Sequence, residues 1–296
     1  MKTSNHLLRR LTAALLAAVL ALSIALPVFA SDDGDTIYIN SVSDLLSLAK
    51  SCAYDQWSVG KTVILQKDLS LEGMLWEPIP SFSGQFKGNG HTISDLTITG
   101  QYSPAGLFGI VEEQGSIESL SVRGIVSVSD SADTTTGGIV GINHGTLINC
   151  QFTGVVTGDS EVGGIVGRNE SEGTIDHSTA RAIVTGKSST GGIAGYNLGA
   201  ITGCTNVGSI NTEYQEASLD TDGFTAKMVD YINNKMAAAD DDVTNSVTNV
   251  ATDTGGIAGR SSGMILTSVN TGTVGYEHIG YNVGGIVGRT DGLVSG

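Results

Sequence analysis

The chain has 296 residues, with 15 Lys and Arg against 30 Asp and Glu, a net charge of −15 and only 5% aromatic residues. That balance argues against a partner with a phosphate backbone, which rewards clustered Lys and Arg. Gly supplies 41 residues, about twice its usual ~7% share, and with abundant Ser, Thr, Asn and Val it describes strands and turns around a modest apolar core.

Residues 1–30 read as a signal peptide. Lys2, Arg9 and Arg10 form a positive start, Leu11 to Leu26 an apolar stretch, and Val28-Phe29-Ala30 a small-residue cleavage site before Ser31. The stretch is shorter than the ~20 residues a membrane span needs. The expectation is removal, leaving a more acidic chain with no membrane span, secreted or held at the cell surface.

Residues 31–61 read as an N-terminal cap. Ser41-Val42-Ser43-Asp44 has the form of a capping box, and Val42, Leu45, Leu46, Ala49 and Cys52 would share one helical face. Such a helix would cover the open edge of the first coil. Thr62–Gln66 reads as the first coil strand, and Phe82 through Ile93 as a strand, an Asn89-Gly90 turn and a strand. His91, following that turn, is read as a turn or packing residue.

From residue 62 to 296 the expectation is a parallel β-helix, because a short phrase recurs. Gly137–Gly141, Gly163–Gly167, Gly191–Gly195, Gly255–Gly259 and Gly284–Gly288 read GGI(V/A)G, with starts 26, 28, 64 and 29 residues apart; Ala105–Gly109 is a looser copy. A period near 27 means stacked units. Aligned on Gly145, Gly173, Gly199, Gly263 and Gly292, the units give apolar columns such as Ile139, Ile165, Ile193, Ile257 and Ile286. Three apolar strands and three turns per coil suit a parallel β-helix, whose coils bury their apolar faces only by stacking. Asn143, Asn169, Asn197, Ser261 and Thr290 would form a structural ladder at one corner. Beside them stand Ile142, Arg168, Tyr196, Arg260 and Arg289, read as a solvated face with acids nearby.

The spacing of 64 marks an insert over about residues 213–250, in which Phe224 to Ala239 reads as a helix. It either decorates a binding face or packs sideways on the stack; both readings stand. The final coil breaks off at Gly296, so the expectation is a truncated C-terminus with further domains downstream.

These phrases resemble the GLUG repeat. Gly106-Leu107-Phe108-Gly109 matches it literally, the GGI(V/A)G copies carry Ile for Leu, and Gly137–Cys150 is the fullest version. The region Thr36–Ile98 is similar to the cap that precedes such repeats, which begin here at about residue 105. The resemblance implies an all-β, right-handed parallel β-helix solenoid in exported bacterial surface proteins and large peptidases, immunoglobulin-A-specific metallopeptidases among them. In this chain it is joined by the capping helix and one helical insert. The zinc motif HExxH of those peptidases does not occur in this chain, so peptidase activity does not carry over.

Motifs for other chemistry fail on spacing. Gly186-Lys187-Ser188 ends like a phosphate loop, but Arg181 stands where the first glycine is required. His144, His177 and His278 occupy different repeat positions. Cys150 and Cys204 share a column with Ser178 and Ser268 but lie two rungs apart, beyond disulfide reach, so no metal or disulfide is expected of them. Asp130, Asp133, Asp159 and Glu161 precede successive GGIVG strands and form the best candidate for a sugar or calcium site; solvated turn acids are the plainer reading. The function expected is a non-catalytic extracellular module for adhesion, for binding a glycan or host surface protein, or as a stalk, with no cofactor and no nucleic acid. The alternative is a polysaccharide lyase or hydrolase using those corner acids.

Overall fold

The computed structural model describes residues 35–54, 56–128, 134–212, 252–275 and 282–296. The signal peptide, the 213–250 insert with its proposed helix, His278, Asp130 and Asp133 lie outside the described residues.

The chain forms a β-solenoid of about seven turns, all of its strand pairs parallel, with one α-helix among the described residues. In the best-developed coil, Thr135–Gly137, Val140–Asn143, Thr146–Ile148 and Gln151–Thr157 follow in chain order. They lie in sheets of five, seven, nine and nine strands; Thr135–Gly137 pairs with its equivalent on the next rung, and the other three pair with their equivalents on both sides. The register bears out the period: Val140 stands over Val166, Val166 over Ala194, Ala194 over Ala258, and Ala258 over Val287. The intervening isoleucines bond rung to rung, the Ile139 N–H to the Ile165 carbonyl at 2.9 Å and Ile165 to Ile193 at 3.1 Å.

Each such coil holds four strands rather than the three expected. The additional strand precedes the glycine phrase. Its inward column is Thr136, Val162, Thr190 and Thr254, all buried. Thr and Val are nearly isosteric, so this column packs as a core but does not read as one in an apolar pattern. Among the described residues before 134 that sheet continues only as a single parallel bridge, from Thr136 to Ala105.

The capping helix α1 (Val42–Ser51) forms as expected. The Asp44 N–H donates to the Ser41 hydroxyl at 3.2 Å, and the Asp44 carboxylate accepts from the Asn40 N–H at 2.9 Å, which satisfies two amide donors at the helix start. Leu45 and Leu48 face inward, and Cys52 is buried at the C-cap, whereas Leu46 is exposed. The period of 3.6 carries Leu46 past the edge of the buried face. A strand over Thr36–Ile39 precedes α1 and pairs in register with Thr62–Leu65, so Thr62 does not begin the first sheet. Asn89 and Gly90 make a left-handed turn, with φ 52° and 76°. The flanking strands do not pair as a hairpin; Gln85–Lys87 pairs with its equivalents on neighbouring rungs, so the turn is a coil corner.

The core narrows along the stack. Phe82, Phe86 and Phe108 cluster at the N-terminal end with centroids 5.4 to 6.3 Å apart, and the buried Trp76 indole N–H donates to the Leu107 carbonyl at 3.1 Å. Further along, one inward column runs Ile93, Val122, Phe152, Ala180, Asn206, Asn270. Opposite it lies the second glycine of each phrase. A Cβ on Gly138 would strike the Phe152 ring, and one on Gly192 or Gly256 would meet the Asn206 or Asn270 amide. These glycines have no positive φ; they are present because the interior is too thin for a methyl group.

Candidate functional site

The two described corner acids are tied into the fold. Asp159 lies 2.6 Å from the Lys187 ammonium, and its own N–H donates to the Thr134 hydroxyl at 2.9 Å. Its carbonyl accepts the N–H groups of Lys187 and Ser188 at 2.9 and 3.0 Å. Glu161 opens the strand Glu161–Gly163 in register with Thr135, whose hydroxyl donates to it at 3.2 Å. Its other oxygen stands 3.6 Å from Arg168, which also meets Glu170 at 3.3 Å. Lys187 therefore holds the Asp159 carboxylate, and Arg168 and Thr135 hold that of Glu161, so neither projects alone into solvent.

Arg168 leads into the outward column that the period predicts. Ile142, Arg168, Tyr196, Arg260 and Arg289 stand in register on successive rungs. The Tyr196 ring lies between two guanidinium groups, 5.3 Å from Arg168 and 5.1 Å from Arg260. Its hydroxyl meets Ser262 at 3.3 Å. Two like charges two rungs apart are thus each set against the negative face of one ring. Asp291 serves the other end. The Ser262 hydroxyl, and then the Arg260 and Arg289 charges, hold its carboxyl below the ordinary range. The acids expected beside this face are Glu161, Glu170 and Asp291.

The asparagine ladder is structural. Asn143, Asn169 and Asn197 are buried. The Asn143 amide donates to Asn169, and that of Asn169 to Asn197, both at 2.8 Å, and the Asn197 amide then donates to the Ser261 hydroxyl at 3.1 Å. A second ladder, Asn206 to Asn270 at 2.8 Å, was missed by sequence reasoning. Its signal was an Asn in each unit at the position where Phe152 and Ala180 stand.

Cys150, Ser178, Cys204 and Ser268 do share one column. The Cys150 N–H donates to the Ser178 hydroxyl at 3.1 Å, and the Cys204 N–H to the Ser268 hydroxyl at 3.2 Å. All three cysteines are free thiols. Burial pushes Cys150 and Cys204 up to about 12 and Cys52 up to about 11, so none is a nucleophile near neutral pH. His91 meets Asp68 at 3.2 Å and His177 meets Asp176 at 2.8 Å, on separate parts of the surface. Among the described residues no three His, Cys, Asp or Glu side chains are grouped to hold a metal ion, and no helix is long and apolar enough to cross a membrane.

The family profile described as "The GLUG motif" matches residues 158–185, which is one complete coil from the strand Glu161–Gly163 to the strand Thr179–Thr185. Halomucin of Haloquadratum walsbyi is 32% identical over 155 residues, covering 48% of this chain and 2% of halomucin. A "Putative Gly-rich membrane protein" of Evansella cellulosilytica is 29% identical over 137 residues, covering 33% of this chain and 16% of that protein. The chain thus spans only a small part of either relative. The crystal structure of "a putative immunoglobulin A1 protease from Bacteroides ovatus" superposes with a TM-score of 0.52 at 16% identity, over 88% of this chain and 83% of that one. At that identity the likeness is one of fold. Residues 158–185 thus match the GLUG motif, and the coil they form is one unit of a parallel β-helix whose other coils repeat its glycine phrase.

Proposed function

We propose that the chain is a non-catalytic extracellular β-helix module of an exported bacterial protein, a stiff element that presents a surface for adhesion or for a glycan or protein partner. One observation carries this reading. Asp159 and Glu161, the strongest candidates for acid–base chemistry, are spent on Lys187, Arg168 and Thr135. A general acid or nucleophile needs a carboxyl open to substrate and tuned for proton transfer. The in-register ladders supply the stiffness, since each rung is fixed to two neighbours by backbone bonds. The names of the two relatives fit a surface setting, and their far greater length fits a module within a larger protein.

Two measurements test the proposal. Export predicts that protein recovered from its host begins at Ser31 and is cleaved by protease added to intact cells. Incubation with a panel of acidic and neutral polysaccharides is expected to release no product, and Asp159→Ala and Glu161→Ala are expected to alter melting only. Turnover that either substitution abolishes would overturn the reading in favour of a carbohydrate-active enzyme.

A further inference from the structure

At the N-terminal end of the stack the coil corner opens into a cleft of about 560 Å³, lined by Gln56, Val59, Ser81, Ser83, Glu112, Glu113, Gln114 and His144. Its origin is a difference in turn length. The connection Glu112–Gly115 has four residues, where the rungs beside it, at Ser83–Gly84 and His144–Gly145, have two. The longer turn stands out from the stack and forms one wall. The other wall is the loop after α1. Ser58, which is buried, pins that loop by accepting the Ser83 N–H at 2.9 Å. The floor is built from consecutive rungs: the Glu112 N–H bonds the Phe82 carbonyl at 2.9 Å and the His144 N–H bonds the Val111 carbonyl at 2.8 Å. Ser83, Glu112 and His144 therefore occupy one register position on three rungs, held by the ladder rather than by a flexible loop.

The lining chemistry narrows the occupant. Two carboxylates, two carboxamides, two hydroxyls and an imidazole face the cleft, with Val59 as the one apolar side chain. Cavities of this size commonly hold small molecules, but apolar ligands take apolar walls. Glu112 is oriented by the Ser81 hydroxyl at 2.7 Å, which leaves its second oxygen to accept from a ligand. Glu113 adds a second carboxylate. Carboxylates accept short, strong bonds from hydroxyl and ammonium donors and repel anions.

We propose that this cleft binds a short saccharide rich in hydroxyl groups and lacking negative charge, neutral or amine-bearing, and that it is the ligand site of the binding module proposed above, on which reading the assignment rests. The probes are N,N′-diacetylchitobiose, glucosamine, galacturonic acid and the diamine cadaverine, each at millimolar concentration. Binding to the full chain is followed by saturation-transfer NMR. Saturation transfer to the neutral or amino sugar, none to galacturonic acid, and affinity weakened about tenfold or more in Glu113→Gln and in Gln114→Ala are the results expected, since each loses one charge-assisted or polar contact. Arg181→Ala, exposed on another sheet, is expected to bind as the parent does. Melting curves of all variants keep loss of fold apart from loss of ligand. Binding of galacturonic acid, or of cadaverine without any sugar, overturns the assigned chemistry. Sugar binding unchanged in both cleft variants overturns the location. Silence from every probe overturns the site and leaves the module proposal to be judged by its own turnover and export tests.

Discussion

Asn169 offers the sharpest test of what holds the coils in register. Its side chain is fully buried; its oxygen accepts from Asn143 at 2.8 Å, and its amide donates to Asn197 at 2.8 Å and to the Gly173 carbonyl at 3.0 Å. Asn169→Ala removes three bonds worth about 1 kcal/mol each and leaves the Asn197 oxygen buried without this donor, so the expected loss is about 3 to 5 kcal/mol. The Asn143 amide keeps the Gly145 carbonyl at 3.1 Å, which limits the damage on that side. Thr290→Ala, in the same column but exposed, is expected to cost about 1 kcal/mol or less. The assay is guanidinium denaturation read by far-UV circular dichroism and by fluorescence of Trp57 and Trp76. Both tryptophans lie in the N-terminal part of the chain, so a break at Asn169 should shift the dichroism transition more than the fluorescence one. Asn169→Asp sharpens the test. Its carboxylate cannot donate to Asn197, and burial raises its pKa in the folded state. The variant is therefore most stable below the unfolded-state value of about 3.9 and loses stability as pH rises through the folded one. A cost under about 1 kcal/mol for Asn169→Ala, or an Asn169→Asp protein as stable as the parent at neutral pH, refutes the reasoning.

Three other substitution sets probe separate parts of the same design. Cys150→Ser should change stability by less than about 1 kcal/mol, because Ser178 and Ser268 already fill that column and donate to the carbonyls two residues back at 3.1 and 3.0 Å; Cys150 and Cys204 should resist alkylation at pH 8 until the chain unfolds. Gly145→Ala puts a methyl group against the Gly115 and Glu112 carbonyl oxygens and should cost about 3 kcal/mol, whereas Gly90→Ala, with open space but φ 76°, should cost about 1 to 2 kcal/mol; the opposite order in denaturant midpoints would show that turn angle rather than rung spacing governs these glycines. Tyr196→Leu should lose about 1 to 2 kcal/mol from the two guanidinium contacts, while Tyr196→Phe keeps most of it; equal midpoints for the two variants would remove the ring's charge from the account.

The period was legible because a parallel stack repeats its demands: Ile139, Ile165, Ile193 and Ile257 each meet the same surroundings, and so does each buried Asn of the corner ladder. What stayed hidden was of two kinds. The additional strand of each coil carries Thr136, Val162, Thr190 and Thr254 inward, and an apolar count passes over three of the four. The partners of Asp159 and Glu161 depend on where side chains reach. Lys187 belongs to the next rung and Arg168 to the next strand, and only geometry couples them. On the capping helix, Leu46 and Leu48 stand about 160° apart, and it is Leu48 that joins Leu45 on the buried side.

That division suggests where function should be sought in a solenoid of this kind. A column that keeps its chemistry from rung to rung, such as Asn143, Asn169 and Asn197, is answering to the stack. The adjoining corner column reads Ser83, Glu112, His144, Glu170, Leu198, Ser262, Asp291, and each of those from Glu112 onward bonds the rung before it through the same backbone contact. The backbone there is as regular as in the ladder, yet no two neighbouring side chains agree. Glu170, Ser262 and Asp291 still serve the stack, through Arg168, Tyr196 and one another, so the members of the column that face the cleft are the candidates for contacts outside it. Three of them, Ser83, Glu112 and His144, line a cleft, at a turn two residues longer than those on the rungs beside it. A four-residue turn recurs at Glu170–Gly173; what sets Glu112–Gly115 apart is the loop after α1 that stands opposite it, held by Ser58, and closes the second wall of the cleft.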